Sequence, residues 1–304
     1  MGINLTGGKG GGGFMGHHMS MHAQGHPGAT APESAVSATA PESAVSATAP
    51  ESALNETAPA PQHPRRVTSF RSRRAALSDT QQEVWARLWP RLGRQAVQSE
   101  QQRPPEPLDT ERWFGRAAPG GVVLEIGCGT GTSTLAMAKA EPDIDVIAVE
   151  VYRRGLAQLL NGIDRDAVTN IRLIRGDGVD VLEQLVTPGS LTGVRVFFPD
   201  PWPKARHHKR RLLKPETVAL IADRLRVGGV LHAATDHPGY AEQIAAVGDA
   251  EPRLRRATPA ELAADPARGG LPISVTRPTT KYETKAQHAG SPVSELIWVR
   301  IAEG

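Results

Sequence analysis

The sequence lacks the features that define several classes of protein. Its 304 residues include one cysteine, Cys128, which excludes an internal disulfide and a cysteine-rich zinc site. No stretch approaches the roughly 18 apolar residues of a transmembrane helix, and the N-terminus lacks the apolar core of a secretory signal. We therefore expect a cytoplasmic protein that does not enter a membrane.

The first 64 residues differ from the remainder in composition and in charge. The sequence Ala-Thr-Ala-Pro-Glu-Ser-Ala begins at Ala29, Ala38 and Ala47, and so repeats every nine residues. Such small and polar residues bury too little apolar surface to offset the loss of chain entropy on folding. We predict a disordered tail over residues 1–64 and one domain over residues 65–304. The tail carries a net charge of −3 and the whole chain +3, so the domain carries +6, which suits a polyanionic partner.

Residues 65–116 precede the main alternating pattern. Residues 65–77 form a basic arm, and Ser78 has the residue type of a helix N-cap, with Asp79 in the first turn. We predict that this helix ends at Pro90, that a polar linker follows, and that a short helix lies near Thr110–Arg116.

From Gly121 onward, short runs of Val, Ile and Leu alternate with helical segments. Near-continuous apolar strands separated by helices are typical of a parallel sheet that is covered on both faces. We predict an α/β fold of the Rossmann-like class, with a mostly parallel, twisted sheet and an antiparallel edge strand near the C-terminus at Glu295–Ile301. The other predicted strands are Val122–Ile126, Asp145–Val149, Ile171–Ile174, Val194–Phe198 and Val230–Thr235.

Carboxylates and glycines follow the predicted strands. Glu125 stands two residues before the glycine loop Gly127–Gly131, which reads G-x-G-x-G and lacks the third glycine of a dinucleotide fingerprint. An acid there suits a ligand with a cationic end, such as S-adenosylmethionine (SAM). Glu150 can accept the hydroxyls of a ribose, and Asp177 can accept from an adenine amino group or cap a helix. Asp236 follows the fifth strand, either as a cap or as a pocket residue.

The segment Phe197–Lys204 is the most informative part of the chain. Three prolines fix the backbone directly after a strand, so that Asp200 and Trp202 are presented at the sheet edge where α/β proteins bind ligands. A run of cations follows, and no acid occurs from Pro201 to Pro215. A stiff loop with one carboxylate beside a basic strip indicates chemistry on a nucleic acid base.

Together these segments resemble the bacterial tRNA (guanine-N7-)-methyltransferases over residues 65–301. The resemblance rests on Leu124–Gly131, Ala148–Val151, Phe197–Arg211, Thr235-Asp236 and Arg277–Glu283. It implies methyl transfer from SAM to a guanosine of the tRNA variable loop, position 46, with Asp200 as the catalytic residue. The implied cofactor residues are Glu125, Gly127, Gly129, Gly131, Glu150, Asp177 and Asp200. Those implied for substrate are Lys204, Asp236, Thr280, Lys281, Tyr282 and Glu283, and those for RNA are Arg206, His207, His208, Lys209, Arg210 and Arg211.

Three other functions remain open from the residues alone. An exocyclic-amine methyltransferase is suggested by the Pro199–Trp202 loop, and a non-catalytic tRNA-binding module by the basic strip. A nicotinamide dehydrogenase is disfavoured by Glu125 and by the missing glycine. The sequence does not distinguish a monomer from a homodimer.

Overall fold

The computed structural model describes residues 76–96, 106–264, 270–278 and 292–303. All of them belong to one unit of the chain, Pro64–Gly304. The predicted tail, the basic arm at 65–75 and the segment 279–291 lie outside the described residues. The strands are β1 (Gly93–Gln95), β2 (Val122–Ile126), β3 (Asp145–Glu150), β4 (Ile171–Arg175), β5 (Leu191–Phe197), β6 (Leu225–Thr235), β7 (Leu254–Arg256) and β8 (Ser294–Arg300).

The eight strands form one sheet in the order β1-β4-β3-β2-β5-β6-β8-β7. The first six in this order run parallel, while β8 is antiparallel to both β6 and β7. The mostly parallel sheet and the antiparallel strand near the C-terminus are therefore confirmed, with β7 as the outermost strand. The chain adds strands in one direction from β2 to β4 and in the other from β5 to β6. This reversal places the switch point, where open α/β sheets bind ligands, between β2 and β5.

Helices cover both faces of the sheet because neighbouring residues of a strand point to opposite sides. In β2, Leu124 belongs to one buried apolar cluster and Val123 to the other. The helices are α1 (Asp79–Leu92), α2 (Thr110–Phe114), α3 (Thr132–Ala140), α4 (Arg153–Asp166), α5 (Gly178–Gln184), α6 (Pro215–Arg224), α7 (Pro238–Ala250) and α8 (Pro259–Ala263), with a 3-10 helix at Ala205–Arg210. Within the described part of the chain, no helix is both long and apolar enough to cross a membrane.

The N-terminal helix confirms one prediction and contradicts another. The Ser78 hydroxyl accepts from the Gln81 backbone N–H at 3.3 Å, and the Gln81 side chain accepts from the Ser78 N–H at 3.2 Å. The predicted end at Pro90 is wrong, because α1 continues to Leu92. Pro90 removes one hydrogen bond from the last turn of the helix, and the packing of Leu92 against the apolar cluster beneath α1 favours the continued helix.

Candidate active site at the carboxyl edge of the sheet

The predicted acidic residues collect at the carboxyl edge of the parallel strands. Glu150 ends β3, Asp177 follows β4, and the glycine loop Gly127–Gly131 follows β2. Asp200 and Asp236 follow β5 and β6. These five strands are consecutive neighbours in the sheet, so they bring all of these groups to one edge on either side of the switch point.

The glycine loop is open on the side where a ligand would lie. Gly127, Gly129 and Gly131 have φ of 81°, 56° and 75°, in the region that side chains rarely adopt. A Cβ at Gly127 or Gly129 would meet nothing among the described residues within 4 Å, so no protein neighbour fills that space. Gly155 of α4 lies against the loop, since a Cβ there would come within 2.2 Å of the Gly129 carbonyl oxygen. Close packing thus fixes the loop from behind and leaves its front accessible.

Glu150 fastens the glycine loop to the end of β3. Its Oε2 accepts from the Gly129 backbone N–H at 2.9 Å, and its Oε1 accepts from those of Val151 at 2.7 Å and Tyr152 at 3.0 Å. Burial raises the pKa of Glu150, these three N–H groups oppose the rise, and the charge of Asp200 adds to it. The Asp200 carboxylate therefore lies close enough to Glu150 for their charges to interact. Glu150 Oε2 accepts from one N–H and can still accept from a ligand hydroxyl.

Glu125 is a buried carboxylate whose bonding is incomplete. It is 3% exposed, and its Oε2 has no hydrogen-bond partner among the described residues. Burial raises the pKa of Glu125, while the charge of Arg195 opposes the rise from the facing position of β5. A buried carboxylate in this state favours a ligand that brings a donor or a positive charge. The ammonium group of SAM has that chemistry.

Arg195 is a buried cation opposite Glu125 that the sequence reasoning missed. Its side chain is fully buried, and its guanidinium donates to Glu141 Oε2 at 2.6 Å and to the Ser274 carbonyl at 3.2 Å. Glu141 Oε1 in turn accepts from the Ser274 N–H at 2.6 Å. The signal that could have revealed it is a lone cation within the apolar run of β5, because a buried charge needs a partner.

Asp177 and Asp236 differ in their local bonding. Asp177 caps α5, since its Oδ1 accepts from the Val179 N–H at 2.8 Å. Asp236 is exposed and does not cap α7, because His237 takes that position and its Nδ1 accepts from the Tyr240 N–H at 3.2 Å. The capping interpretation of Asp236 is therefore wrong, and its pocket role stays a prediction. Histidine is an unusual N-cap residue, so the residue type of His237 does not signal this role.

The loop after β5 presents Asp200 between two unusual backbone conformations. Phe198 has φ of 49° and Trp202 has φ of 44°, both in the left-handed region that non-glycine residues seldom occupy. Asp200 is exposed between them. The guanidinium of Arg210 lies 5.1 Å from the centre of the Trp202 ring, and the ring of His207 meets it edge-on at 5.7 Å. One face of the indole is therefore occupied by a side chain of the basic strip.

The basic strip, residues 204–210, lies on the surface beside Asp200. Lys204, Arg206, His208, Lys209 and Arg210 are exposed. Loss of hydration lowers the pKa of His207, and the surrounding cations lower it further. The imidazole is therefore neutral at pH 7, which agrees with the hydrogen bond it accepts at Nε2 from Arg206 Nε at 3.2 Å.

Arg211 departs from its predicted role. It is 3% exposed, and its Nε donates to the carbonyl oxygen of Pro201 at 2.8 Å. Its guanidinium faces the protein interior, which argues against the predicted RNA contact at this residue. Thr280, Lys281, Tyr282 and Glu283 lie outside the described residues. Cys128 is buried and burial raises its pKa well above the usual value, which agrees with a spacer rather than a nucleophile.

A family model described as "Putative methyltransferase" matches residues 120–296, which contain all the strands of the site. Fold and site thus define a methyltransferase of the Rossmann-like class. The tRNA (guanine-N(7)-)-methyltransferase of Mycolicibacterium gilvum (strain PYR-GCK) is 70% identical over 245 residues, or 79% of this chain and 89% of that protein. The enzyme of the same name from Mycobacterium avium (strain 104) is 62% identical over 287 residues, or 94% and 100%. The chain belongs to the family of tRNA (guanine-N(7)-)-methyltransferases, as the sequence motifs indicated.

Among solved structures, the crystal structure of the 16S rRNA methyltransferase KamB matches 66% of this chain and 97% of its own. Its TM-score is 0.42, with 19% sequence identity.

Proposed function

We propose that this protein transfers the methyl group of S-adenosyl-L-methionine to N7 of a guanine in tRNA. The observation that carries the proposal is the Asp200 loop, which lies at the switch point of the sheet between the acidic ligand edge and the basic strip. The names of the relatives that match most of the chain support the same reaction.

The residues at the edge fit S-adenosylmethionine, which supplies a methyl group on a positively charged sulfur. Glu125, with its unpartnered oxygen, would take the ammonium end. Glu150 would accept from the ribose, and Asp177 Oδ2, which takes no part in the cap of α5, would accept from the adenine. The open faces of Gly127 and Gly129 leave room for the chain that joins these parts.

The reaction requires alignment and charge stabilisation rather than proton removal. The N7 lone pair of guanine lies in the ring plane and carries no proton, so the attack needs no general base. Positive charge develops on the guanine as the methyl group is transferred. Asp200 would orient the base and oppose that charge, and a prepositioned carboxylate can do so without reorganisation. Trp202 would wall the pocket, since Arg210 already covers one face of its ring.

The tRNA would be held by its backbone and read at one accessible base. Arg206, Lys209 and Arg210 would contact phosphates, and such contacts carry most of the affinity. Lys204, Asp236 and the segment Thr280–Glu283 would contact the guanine, which we assign to position 46 of the variable loop. A base in a loop can be splayed out and stacked, whereas a base in an RNA duplex is not accessible in this way.

The same proposal covers the organisation of the chain and its place in the cell. Residues 65–304 would form the methyltransferase domain, and residues 1–64 would take no part in catalysis. All the described residues lie in the unit Pro64–Gly304, which supports this division. A tRNA substrate implies a cytoplasmic enzyme.

Methyl transfer from labelled S-adenosylmethionine to tRNA tests the proposal. Digestion to nucleosides should give label in 7-methylguanosine, and a tRNA with adenosine at position 46 should accept none. Asp200→Asn should lower kcat on the order of 100-fold, since it keeps the shape and removes the charge. Asp223→Asn, at the far end of α6, is the matched control. Full turnover by Asp200→Asn would contradict its catalytic role, and label on an exocyclic amine would replace the substrate assignment.

A further inference from the structure

The Asp200 loop holds a conformation that its own residues do not favour. Phe198 and Trp202 both have positive φ, and such conformations persist only where the surroundings impose them. At the first end, the Phe198 N–H donates to the Ala234 carbonyl of β6 at 2.8 Å. The guanidinium of Arg277 also lies 4.9 Å from the centre of the Phe198 ring. The second end needs a corresponding restraint.

Arg211 supplies that restraint at Pro201. Proline has no N–H, so the carbonyl is the only backbone hydrogen-bonding group of the residue that follows Asp200. This carbonyl accepts from Arg211 Nε at 2.8 Å. It belongs to the peptide that joins Pro201 to Trp202, so the bond fixes the plane of that peptide, next to the residue with φ of 44°.

Helix α7 holds Arg211 itself in place. Its NH1 donates to the side-chain oxygen of Gln243 at 2.6 Å and to the Gly239 carbonyl at 3.3 Å. The guanidinium lies 4.7 Å from the centre of the Tyr240 ring. Tyr240 and Gln243 also bind the backbone N–H and carbonyl of Leu213, two residues further along the chain. The arginine is therefore fixed from several sides, as a rigid support for the loop requires.

We infer that Arg211 is a positioning residue for Asp200: it acts through the Pro201 carbonyl and does not touch RNA or cofactor. This inference rests on the proposed role of Asp200. Lys209 and Arg211 are both basic residues of the same run, but the inference assigns them different roles. Lys209 is exposed, while Arg211 is held between the loop and α7. Loss of Arg211 should therefore impair turnover, and loss of Lys209 should impair tRNA binding.

The test compares Arg211→Gln with Lys209→Gln, which removes the same charge two residues earlier. Arg211→Gln should lower kcat on the order of 100-fold, as small misplacements of catalytic groups do. The KM for tRNA and its salt dependence should stay as in the wild type. Lys209→Gln should instead raise the KM for tRNA, and less so at high salt. Binding of S-adenosylmethionine, measured by calorimetry without tRNA, should be unchanged in Lys209→Gln, and in Arg211→Gln it should change far less than kcat does.

Two further variants keep the inference testable if Arg211→Gln does not fold, as judged by its melting temperature. Gln243→Met removes an acceptor of Arg211 without touching the loop and should lower kcat with an unchanged KM for tRNA. Arg211→Lys can reach only part of this network, and should fall between wild type and Arg211→Gln in kcat. A raised, salt-dependent KM with normal kcat in Arg211→Gln or Gln243→Met would overturn the inference, as would unchanged kinetics. Absence of 7-methylguanosine from the wild-type reaction would instead refute the proposed function.

Discussion

If the basic strip binds tRNA phosphates, the salt dependence of tRNA affinity should change by a calculable amount when its cations are removed. Arg206→Gln with Lys209→Gln removes two exposed cations beside Asp200. Each phosphate contact contributes about 0.7 to 0.9 to the slope of log affinity against log salt. If both side chains contact phosphates, the slope should fall by roughly 1.4 to 1.8. Over the fourfold range from about 50 to 200 mM salt, the double variant should therefore lose about tenfold less affinity than the wild type.

Fluorescence anisotropy of labelled tRNA across this salt range measures the slope. His207 is unchanged in the variants, and its lowered pKa favours the neutral imidazole in the free protein. A control with the same change in net charge is Arg87→Gln with Arg255→Gln. These arginines are already paired with Asp164 at 2.6 Å and Glu261 at 2.5 Å. The control should retain the wild-type slope, and an unchanged slope in the strip variant would refute phosphate contacts by these two residues.

Three other predictions address the cofactor edge and the core. Glu125→Gln should weaken S-adenosylmethionine binding by about tenfold or more, because a charge-assisted hydrogen bond is lost; titration calorimetry measures this, and an equal Kd would contradict the assignment. Gly129→Ala places a Cβ at φ of 56° and should lower the free energy of unfolding by about 1 kcal/mol in urea denaturation, with weaker cofactor binding. Burial lowers the pKa of His232, so below about pH 6.5 the unfolded chain binds a proton that the folded chain does not. The free energy of unfolding should therefore decrease as the pH is lowered below this value. His232→Gln should make that decrease smaller.

The parallel sheet could be predicted because each of its central strands has a recognisable local sequence pattern. Runs such as Val122–Ile126 are apolar on both faces, as strands covered on both sides must be. The short strands β1 and β7 carry no such signal, since Gly93–Gln95 and Leu254–Arg256 are mostly polar. They exist because β4 and β8 offer an edge to pair with. Their pairing is a tertiary effect that no local pattern contains.

The site was predictable where chemistry follows directly from position in the chain. Carboxylates placed just after parallel strands must share one edge of the sheet, so Glu150 and Asp200 could be grouped from the sequence. Arg211 could not be separated from the exposed cations before it, because all are basic residues in one run. Its burial depends on the Pro201 carbonyl and on Gln243 of α7, which lie far apart in sequence. The residue type predicts that a side chain is charged. Only the fold determines whether that side chain is exposed to solvent or donates to a backbone carbonyl.

The charges at the site act differently on the cofactor and on the RNA. The sheet edge carries carboxylates and so favours a cationic sulfonium, yet the same edge repels a polyanion. The strip after Asp200 contains no acid and offsets that repulsion where the RNA must approach. Transfer moves the positive charge from sulfur to guanine. The cofactor product keeps the ammonium and the ribose that Glu125 and Glu150 would bind, but it loses the attraction of its sulfur to the acidic edge, while the modified base gains an attraction to Asp200. The edge should therefore bind S-adenosylmethionine more tightly than S-adenosylhomocysteine, and equal affinities in calorimetry would show that these carboxylates do not respond to the charge on sulfur.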